Sequence, residues 1–200
     1  MNPKNGRHFG YFDTAHDGYG GSIHGDGVGP YKTIRHADNK DIPVEVQEAL
    51  YPVRVERHEW RVDSAGAGRH RGGLGVDKTF VMLADVTNNL AYERYQCPPW
   101  GLLGGAPGDP GYAEHEPAGG QKRKLHKISG LKLKPGDRIH IHTGAGGGYG
   151  LPAERDPEAV REDVAKGYVS TAQAREVYRV VIDANLRVDV AATAALRQAA

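Results

Sequence analysis

Short stretches of alternating hydrophobic and polar residues occur along the first three quarters of the 200-residue chain. Val53 and Val55, with Trp60 and Val62 further on, show the two-residue period of a strand with one buried face. The stretches DKTFVMLAD and NNLAYERYQ also have strand composition and flank an Asp-Val-Thr-Asn sequence that is typical of a turn. We therefore expect two strands that pair with each other around that turn.

The clearest hairpin pattern is GLKLKPGDRIHIHT, residues 130–143. Leu131 and Leu133 alternate with lysines before a Pro-Gly-Asp turn, and Ile139 and Ile141 alternate with histidines after it. We expect the two halves to pair directly. Between the predicted strands lie glycine-rich loops, and Trp100 is expected to anchor one of them by burying its ring.

Beyond residue 150 the pattern becomes helical. Asp156 is a good N-cap and is followed by a proline, while Gly167 suits the end of the same helix. Ser170 and Gln173 form a capping-box pattern that predicts a second helix to about Val177.

Three shorter elements complete the expected secondary structure. YRVVID resembles a short strand, and VDVAATAALRQAA, with Asp189 as its cap, predicts a last helix. Val44 to Leu50 predicts a short helix before the first strand. The expected fold class is α+β, mainly β, with loop-rich antiparallel strands and two or three short C-terminal helices. We expect a glycine-rich β domain over residues 1–150 and a helical tail over residues 151–200 that packs on it.

Composition narrows the classes of function. The 26 Lys and Arg residues nearly balance the 25 Asp and Glu residues, which argues against nucleic acid and anionic membranes as partners. The single cysteine, Cys97, cannot form an internal disulfide, and neither a signal-peptide pattern nor a long apolar run occurs. We therefore expect a cytoplasmic location. The 28 glycines indicate many tight turns or special backbone conformations.

The glycine run HTGAGGGYG, residues 142–150, comes between a strand pattern and a helix start, as phosphate-binding loops do. Counted from Gly144, however, the dinucleotide-binding pattern requires glycine where Tyr149 stands, and no P-loop pattern occurs in the chain. Five residues also separate Gly150 from the cap at Asp156. The run is therefore interpreted as a turn between the last strand and the tail, with no nucleotide-binding role.

Histidine and aspartate cluster in the loop from Gly18 to Asp41. His24, Asp26, His36 and Asp38 are the candidate substrate-loop residues, since imidazole and carboxylate groups offer mixed donors. His24, Asp26 and His36 form a weak hypothesis for a divalent metal site, suited to Zn, Mn or Fe. The alternative, which we favour, is that these side chains stabilise the loop through local hydrogen bonds.

Other chemical signals are weaker. His140 and His142 share one strand face and could hold a metal, although a polar solvent face explains them equally well. Cys97, Ser64, Ser129 and Ser170 are the available nucleophiles, but none lies in a nucleophile-elbow motif, and Ser170 is better explained as a helix cap. No residue is therefore assigned a catalytic role.

The order of three segments is more specific than any single motif. IPVEVQEALYPVRVERHEWRVDSAGAGRHRGGLGV, then PPWGLLGGAPG, then LKLKPGDRIHIHTGAGGGYGLPAERDPEAVREDVAKGYVS resemble the C-terminal part of the hydantoinase B/oxoprolinase family. The resemblance extends from about Gly18 to the end of the chain. That family includes N-methylhydantoinase B subunits, half of 5-oxoprolinase, and subunits of acetone and acetophenone carboxylases.

The resemblance implies a multi-subunit, ATP-dependent enzyme. A hydantoinase A-like ATPase partner would phosphorylate a substrate oxygen, and the B-like subunit, including its N-terminal part, would carry out the later chemistry. Cyclic amides such as hydantoins, 5-oxoproline and lactams are then the expected substrates, with ketone carboxylation as one alternative and a non-catalytic assembly module as another. ATP would act through the partner, and a divalent metal (Mn, Zn or Mg) could belong to the assembled enzyme.

The chain departs from the family in two respects. Family B subunits are usually more than twice as long, and their N-terminal half, where the metal-binding residues of the carboxylases are expected, has no counterpart here. No metal ligand is therefore carried over. RHADNKDIPVE also replaces the family's more usual Thr- and Asn-rich approach to Pro43, Val44 and Glu45, which affects the loop expected to meet substrate.

Overall fold

The structure, a computed structural model, describes residues 2–14, 16–31, 41–91 and 93–198. Within these ranges it contains α1 (Val44–Leu50), β1 (Val53–Arg61), β2 (Gly75–Met82), β3 (Val86–Leu90), β4 (Tyr112–Glu116), β5 (Arg123–Leu125), β6 (Ile128–Leu133), β7 (Arg138–His142), α2 (Pro157–Ala165), α3 (Thr171–Glu176) and α4 (Val190–Gln198). The fold class is α+β and mainly β, as predicted.

Two antiparallel sheets enclose the larger hydrophobic core. Five strands form one sheet in the order β1-β2-β7-β4-β5, and β3 pairs with β6 in a second sheet. Every residue of β2 is buried, since this strand lies inside the larger sheet. Phe80 and Ile139 of the large sheet share a core with Leu131 and Leu133 of the small one. Burial of these apolar side chains is the main stabilising contribution to this half of the molecule.

Two strand pairings predicted from the sequence are wrong. Residues 130–143 contain the expected strands and turn, but β6 pairs with β3, while β7 pairs with β2 and β4. DKTFVMLAD likewise does not pair with the strand that follows it. A direct hairpin would place Leu133 and Ile139 on one face of one sheet, whereas here they enter the same core from two sheets. At the turn, Gly136 and Asp137 instead hydrogen-bond to Met82 at the end of β2.

The glycine run is a central packed segment, and its interpretation as a turn is wrong. Residues 143–150 run between three other segments, 17–28, 64–74 and 99–109, and we call these four segments the glycine layer. The N–H of Gly146 donates to Gly73 O, that of Gly148 to Ala106 O, and that of Tyr149 to His70 O. The layer is therefore held by backbone hydrogen bonds between segments that belong to no regular strand.

The three C-terminal helices begin where their caps predict. Asp156 accepts a hydrogen bond from Glu158 N, Ser170 accepts from Gln173 N, and Asp189 accepts from Ala192 N. Gly167 follows α2 with a φ of +71°, the left-handed conformation common after a helix. Gln173, by contrast, donates to Asp63 O, so the predicted capping box is only half formed.

A second core lies between the glycine layer and the helices. Ala67 of the layer packs with Val160 of α2, Ala174 of α3, and Tyr178 and Val180, all of them buried. YRVVID is not a strand, because Val180 N donates to Ala174 O and Val181 N donates to Thr193 Oγ1. The helices thus take the hydrogen bonds that a neighbouring strand would need. The domain division at residue 150 stays a prediction.

Trp100 does not anchor its loop by burial. Its side chain is 71% exposed, and Leu103 and Leu102 are 74% and 53% exposed. Leu151 is exposed as well and lies beside Gly104, and Leu103 adopts a φ of +50°, which is uncommon for a residue with a branched side chain. Trp100, Leu102, Leu103 and Leu151 are referred to below as the apolar patch.

Candidate functional site

The loop expected to contact substrate holds its candidate residues in different environments. His24 is exposed on a tight turn closed by Ser22 and Gly25, and its own N–H donates to Ser22 Oγ. Asp26 points toward the helical part of the molecule, where it meets Arg155. His36 and Asp38 lie outside the described residues. The structure therefore does not bring His24 and Asp26 together as a pair.

Asp26 binds Arg155, which is buried at the start of the helical tail. Its Oδ1 lies 2.6 Å from Arg155 Nη1 and its Oδ2 lies 2.7 Å from Arg155 Nη2, a bidentate pair. The backbone N–H of Arg71 also donates to Asp26 Oδ1. Burial alone would raise the pKa of Asp26, but these hydrogen bonds and the two arginine charges hold the pKa below its ordinary value.

Asp163 of α2 extends this network. Its Oδ2 lies 2.8 Å from Arg155 Nη2, and its Oδ1 lies 3.0 Å from Arg71 Nε. Two arginines thus balance two aspartates, and three of the four side chains are almost fully buried. Because both Asp26 oxygens already accept from Arg155, the network is best explained as a connection between the loop and α2.

The metal hypotheses stay predictions. Across the described ranges, no group of three or more His, Cys, Asp and Glu side chains is arranged to hold a metal ion. The hypothesis for His24, Asp26 and His36 includes a residue outside those ranges. Its remaining donors are the exposed imidazole of His24 and the Asp26 carboxylate that Arg155 engages.

His140 and His142 share one face of β7, as predicted, and each pairs with carboxylates of neighbouring strands. His140 Nε2 lies 2.7 Å from Glu116 Oε2, and His142 Nδ1 lies 2.6 Å from Asp77 Oδ1. Burial alone would raise the pKa of Asp77, but the hydrogen bond and charge of His142 lower it. This face of the large sheet is a ladder of paired charges.

The candidate nucleophiles have structural explanations where the structure shows their contacts. Ser64 is buried, donates to Arg61 O and accepts from Gly75 N, so its hydroxyl joins two backbone segments. Ser170 caps α3. Cys97 is exposed. The hydroxyls of Ser64 and Ser170 are thus engaged with backbone groups, and neither is assigned nucleophilic chemistry.

Several titratable side chains lie around Lys78, a buried residue of β2. Lys78 is 6% exposed, and its Nζ lies 2.8 Å from Asp13 Oδ2 and 4.9 Å from the centre of the Phe80 ring. A buried lysine needs such a partner, because leaving its charge unpaired would cost several kcal/mol, roughly 3 or more. The ion pair therefore fixes the N-terminal segment, residues 2–14, against the large sheet.

A small cavity lies beside Lys78, and three further titratable groups line it: His16, Asp41 and His58. His58 of β1 is the cross-strand partner of Lys78, while His16 Nδ1 lies 3.2 Å from Asp41 Oδ2. Burial and then the Lys78 charge lower the pKa of His58, against the opposing effect of Asp41 and Asp13. These effects together favour the neutral form of His58. We call Asp13, His16, Asp41, His58, Lys78 and Thr143 the Lys78 cluster.

The Lys78 cluster has no local signature in the sequence. Its members are 130 positions apart at the extremes, Asp13 and Thr143, and only the folded sheet brings them together. One signal was available: the polar residues Asp77, Lys78 and Thr79 run directly into the apolar residues Phe80, Val81 and Met82 of one strand. A charge at such a position requires a buried partner and points to a polar site inside the fold.

The two sheets and the glycine layer lie in the part of the chain that a family model matches. The family model described as Hydantoinase B/oxoprolinase matches residues 1–152, and the chain belongs to this family. Across the described ranges, no helix is long and apolar enough to cross a membrane.

Individual relatives include two proteins from Pseudomonas. The chain is 30% identical over 190 residues to the putative B-type component of a D-/L-hydantoinase from Pseudomonas sp. strain NS671, covering 94% of this chain and 32% of that protein. It is 35% identical over 161 residues to the beta component of the Pseudomonas jessenii caprolactamase, covering 78% of this chain and 28% of that protein.

Solved structures show the same similarity. The crystal structure of the ATP-dependent caprolactamase from Pseudomonas jessenii matches with a TM-score of 0.76 at 30% identity, covering 92% of this chain and 33% of that one. Acetone carboxylase in its nucleotide-free form matches with a TM-score of 0.80 at 24% identity, over 92% and 29% of the two chains. The chain spans about a third of the length of these relatives.

Proposed function

We propose that the chain is the C-terminal domain, or a separately encoded part, of a B-type subunit that acts in ATP-dependent hydrolysis of cyclic amides. The observation that carries the proposal is its similarity to the ATP-dependent caprolactamase, at 30% identity over 92% of the chain. The similarity to a B-type hydantoinase component over 94% of the chain supports the same reaction class. Hydantoins, 5-oxoproline and lactams are the proposed substrates.

Ketone carboxylation is the second candidate. The match to acetone carboxylase has the higher TM-score, 0.80, but its sequence identity is 24%. That similarity supports a shared fold. The caprolactamase relative, at 35% identity, is more similar in sequence than the acetone and acetophenone carboxylases, at 28% and 30%, so the hydrolase is favoured.

ATP is proposed to act through an A-like ATPase partner. The N–H groups of Gly146, Gly148 and Tyr149, which a phosphate loop would direct at its ligand, donate to carbonyls of the glycine layer. Their engagement argues against a phosphate-binding role for the glycine run. A divalent metal, if the assembled enzyme uses one, is proposed to bind mainly through the rest of the complex.

The apolar patch supports assembly with the remainder of a B-type subunit. Relatives are about three times as long as this chain, which covers 28% and 32% of two of them. Trp100, Leu102 and Leu103 are close in sequence and each more than half exposed, and exposed large apolar side chains of this kind are typical of surfaces that a partner covers. The same patch would serve a purely structural assembly module, which is the remaining alternative. The proposed complex is cytoplasmic.

Reconstitution tests the proposal. The chain is co-expressed with the A-like and B-like partners encoded with it, and ATP hydrolysis is measured with hydantoin, 5-oxoproline, caprolactam, or acetone plus bicarbonate. We expect a cyclic amide to stimulate ATP hydrolysis and to be opened. Stimulation by ketone with bicarbonate alone would select the carboxylase. A complex that assembles but shows no ATP hydrolysis coupled to any of these substrates would favour the structural assembly module.

A further inference from the structure

The cavity of the Lys78 cluster has a size suited to one water molecule. Its volume is about 10 Å³, and it lies between the N-terminal segment and the inner strands of the large sheet. A site that holds water needs room for about one probe sphere and two to four polar partners. Asp13, His16, His58 and Lys78 line this cavity and supply enough polar partners for that purpose.

Burial and the charge of Lys78 lower the pKa of His58 and so favour its neutral, proton-accepting form. His58 faces Lys78 on the adjacent strand and is influenced by Asp13 and Asp41 from the segments packed over it. Lys78 Nζ and Asp13 Oδ2 lie 2.8 Å apart and form an ion pair in the wall of the cavity. The positive charge nearest His58 disfavours protonation of the imidazole, and a neutral imidazole can accept a proton.

We propose that this cavity binds the hydrolytic water and that His58 accepts its proton. The inference rests on the proposed function and assigns a step within it to this chain's own residues. The Lys78–Asp13 ion pair acts as a positioning pair, because it fixes the cavity wall and sets the charge next to His58. His58 is the proposed catalytic base.

The step balances with the O-phosphorylated cyclic amide that the ATPase partner would supply. The water oxygen bonds to the amide carbon, the C=N electron pair moves to the ring nitrogen, and His58 transfers one water proton to that nitrogen. The C–N bond of the adduct then breaks as the hydroxyl proton passes through the same imidazole to the nitrogen. An amine and an acyl phosphate result, and a second water hydrolyses the acyl phosphate to carboxylate and phosphate.

The first test uses the 200-residue chain alone. Proton NMR follows the titration of each histidine ring in the wild type, in His58→Gln, which assigns the resonance, and in the paired variant Lys78→Met/Asp13→Asn. The paired variant removes both charges and so avoids an unpaired buried ion. Because Lys78 influences His58 more than Asp13 does, we expect the His58 pKa to start below its ordinary value, about 6.5, and to rise in the variant. An unchanged His58 pKa would contradict the inference.

The second test uses the reconstituted complex. His58→Gln is expected to lower kcat about 100-fold and to remove the acidic limb of the pH profile, with KM little changed. Lys78→Met/Asp13→Asn is expected to shift that limb to higher pH. His126→Gln, an exposed histidine stacked on Tyr95, is the matched control and should retain the wild-type profile.

Failure of this inference is separable from failure of the proposed function. If wild-type complex turns over cyclic amide and His58→Gln retains the wild-type kcat and pH profile, the water site is wrong while the function stands. If His16→Gln, in place of His58→Gln, removes the acidic limb, the base is the His16–Asp41 pair and the assignment of His58 is overturned. A wild-type complex without ATP-coupled hydrolysis overturns both.

Discussion

At the scale of single residues, glycine identity matters most where two backbones meet. A Cβ on Gly146 would lie far inside van der Waals contact with the carbonyl group of Tyr19, and one on Gly72 would meet the carbonyl of Gly146. Neither neighbour is a flexible side chain, so the backbone itself would have to move. Glycine is therefore required at these positions because two backbones approach closely there. The φ values themselves are ones that other residues could adopt.

Replacing one such glycine should destabilise the protein strongly. Gly146→Ala is expected to cost about 3 kcal/mol or more, because overpacking here displaces hydrogen-bonded backbone. Urea denaturation followed by circular dichroism measures the loss. Gly10→Ala is the matched control, since nothing lies within 4 Å of its added Cβ. Equal stability of the two variants would refute the packed glycine layer.

Buried carboxylates should make stability fall in acid. The pKa of Asp137 is lowered because, although burial alone would raise it, Lys134 N, Ala118 N and His115 donate to its carboxylate. The pKa values of Asp26 and Asp77 are also lowered. A depressed folded-state pKa stabilises the protein above the unfolded value, about 3.9, and that stabilisation is lost as pH falls through the folded value.

The corresponding measurement compares urea midpoints at pH 6 and pH 3. We expect a lower midpoint at pH 3 in the wild type and a smaller pH-dependent loss in Asp137→Asn, which is already less stable at pH 6. Asp85→Asn, whose side chain is 71% exposed beside Lys134, should keep the wild-type pH dependence. A midpoint that does not change between the two pH values would contradict the assignment.

At the scale of elements, α2 is tied to the glycine layer by charge as well as by apolar packing. Asp163 faces inward from α2 to Arg71 and Arg155, while Val160 of the same helix enters the second core. Glu162, its neighbour in sequence, points to solvent and pairs with Lys166. The two acidic neighbours therefore differ in role, although both belong to the same polar sequence pattern.

Asp163→Asn should show that difference. Its loss leaves two buried arginines with reduced compensation, and we expect destabilisation of about 3 kcal/mol. Glu162→Gln removes an exposed pair and should cost less than about 0.5 kcal/mol. Thermal and urea unfolding of both variants provide the measurement. Comparable losses in the two would mean that the network does not connect α2 to the layer.

Helix ends were predictable from sequence, while strand partners were not. Asp156, Ser170 and Asp189 act through local hydrogen bonds, so their effect is visible within a few residues. The strands that pair with β7 come from distant parts of the sequence. Ile139 of β7 must face the core, and β4 pairs along one edge of β7. A bulge between Val55 and Arg57 also changes the phase of β1, so that Trp60 lies on the same face as Val55, where it packs against Tyr168 and stays 45% exposed.

At the scale of the whole molecule, the chain has two cores and an uncovered apolar patch. One core fills the space between the sheets, and the other joins the glycine layer to the helices. The patch lies on neither, since Trp100 and Leu103 are 71% and 74% exposed. In the proposed complex, the remainder of the B-type subunit covers this patch.

A charge in the patch should weaken that assembly and leave the domain folded. Leu103→Asp is expected to reduce, at least tenfold or by about 1.4 kcal/mol, the affinity for the remainder of the B-type subunit. Aspartate tolerates the left-handed φ of this position better than leucine does, so stability should not fall. Pull-down and calorimetric titration measure binding. Val190→Asp, at a site 76% exposed on α4, is the control, and equal binding by both variants would exclude the patch.

By itself, the sequence determined the fold class, the helix boundaries and the family, because these depend on local periodicity, capping and the order of short motifs. Tertiary structure alone decided the strand pairings, the role of HTGAGGGYG and the Lys78 cluster. The physical reason is range: a cap acts over about three residues, whereas a packed glycine backbone or a buried ion pair depends on segments brought together from distant parts of the chain.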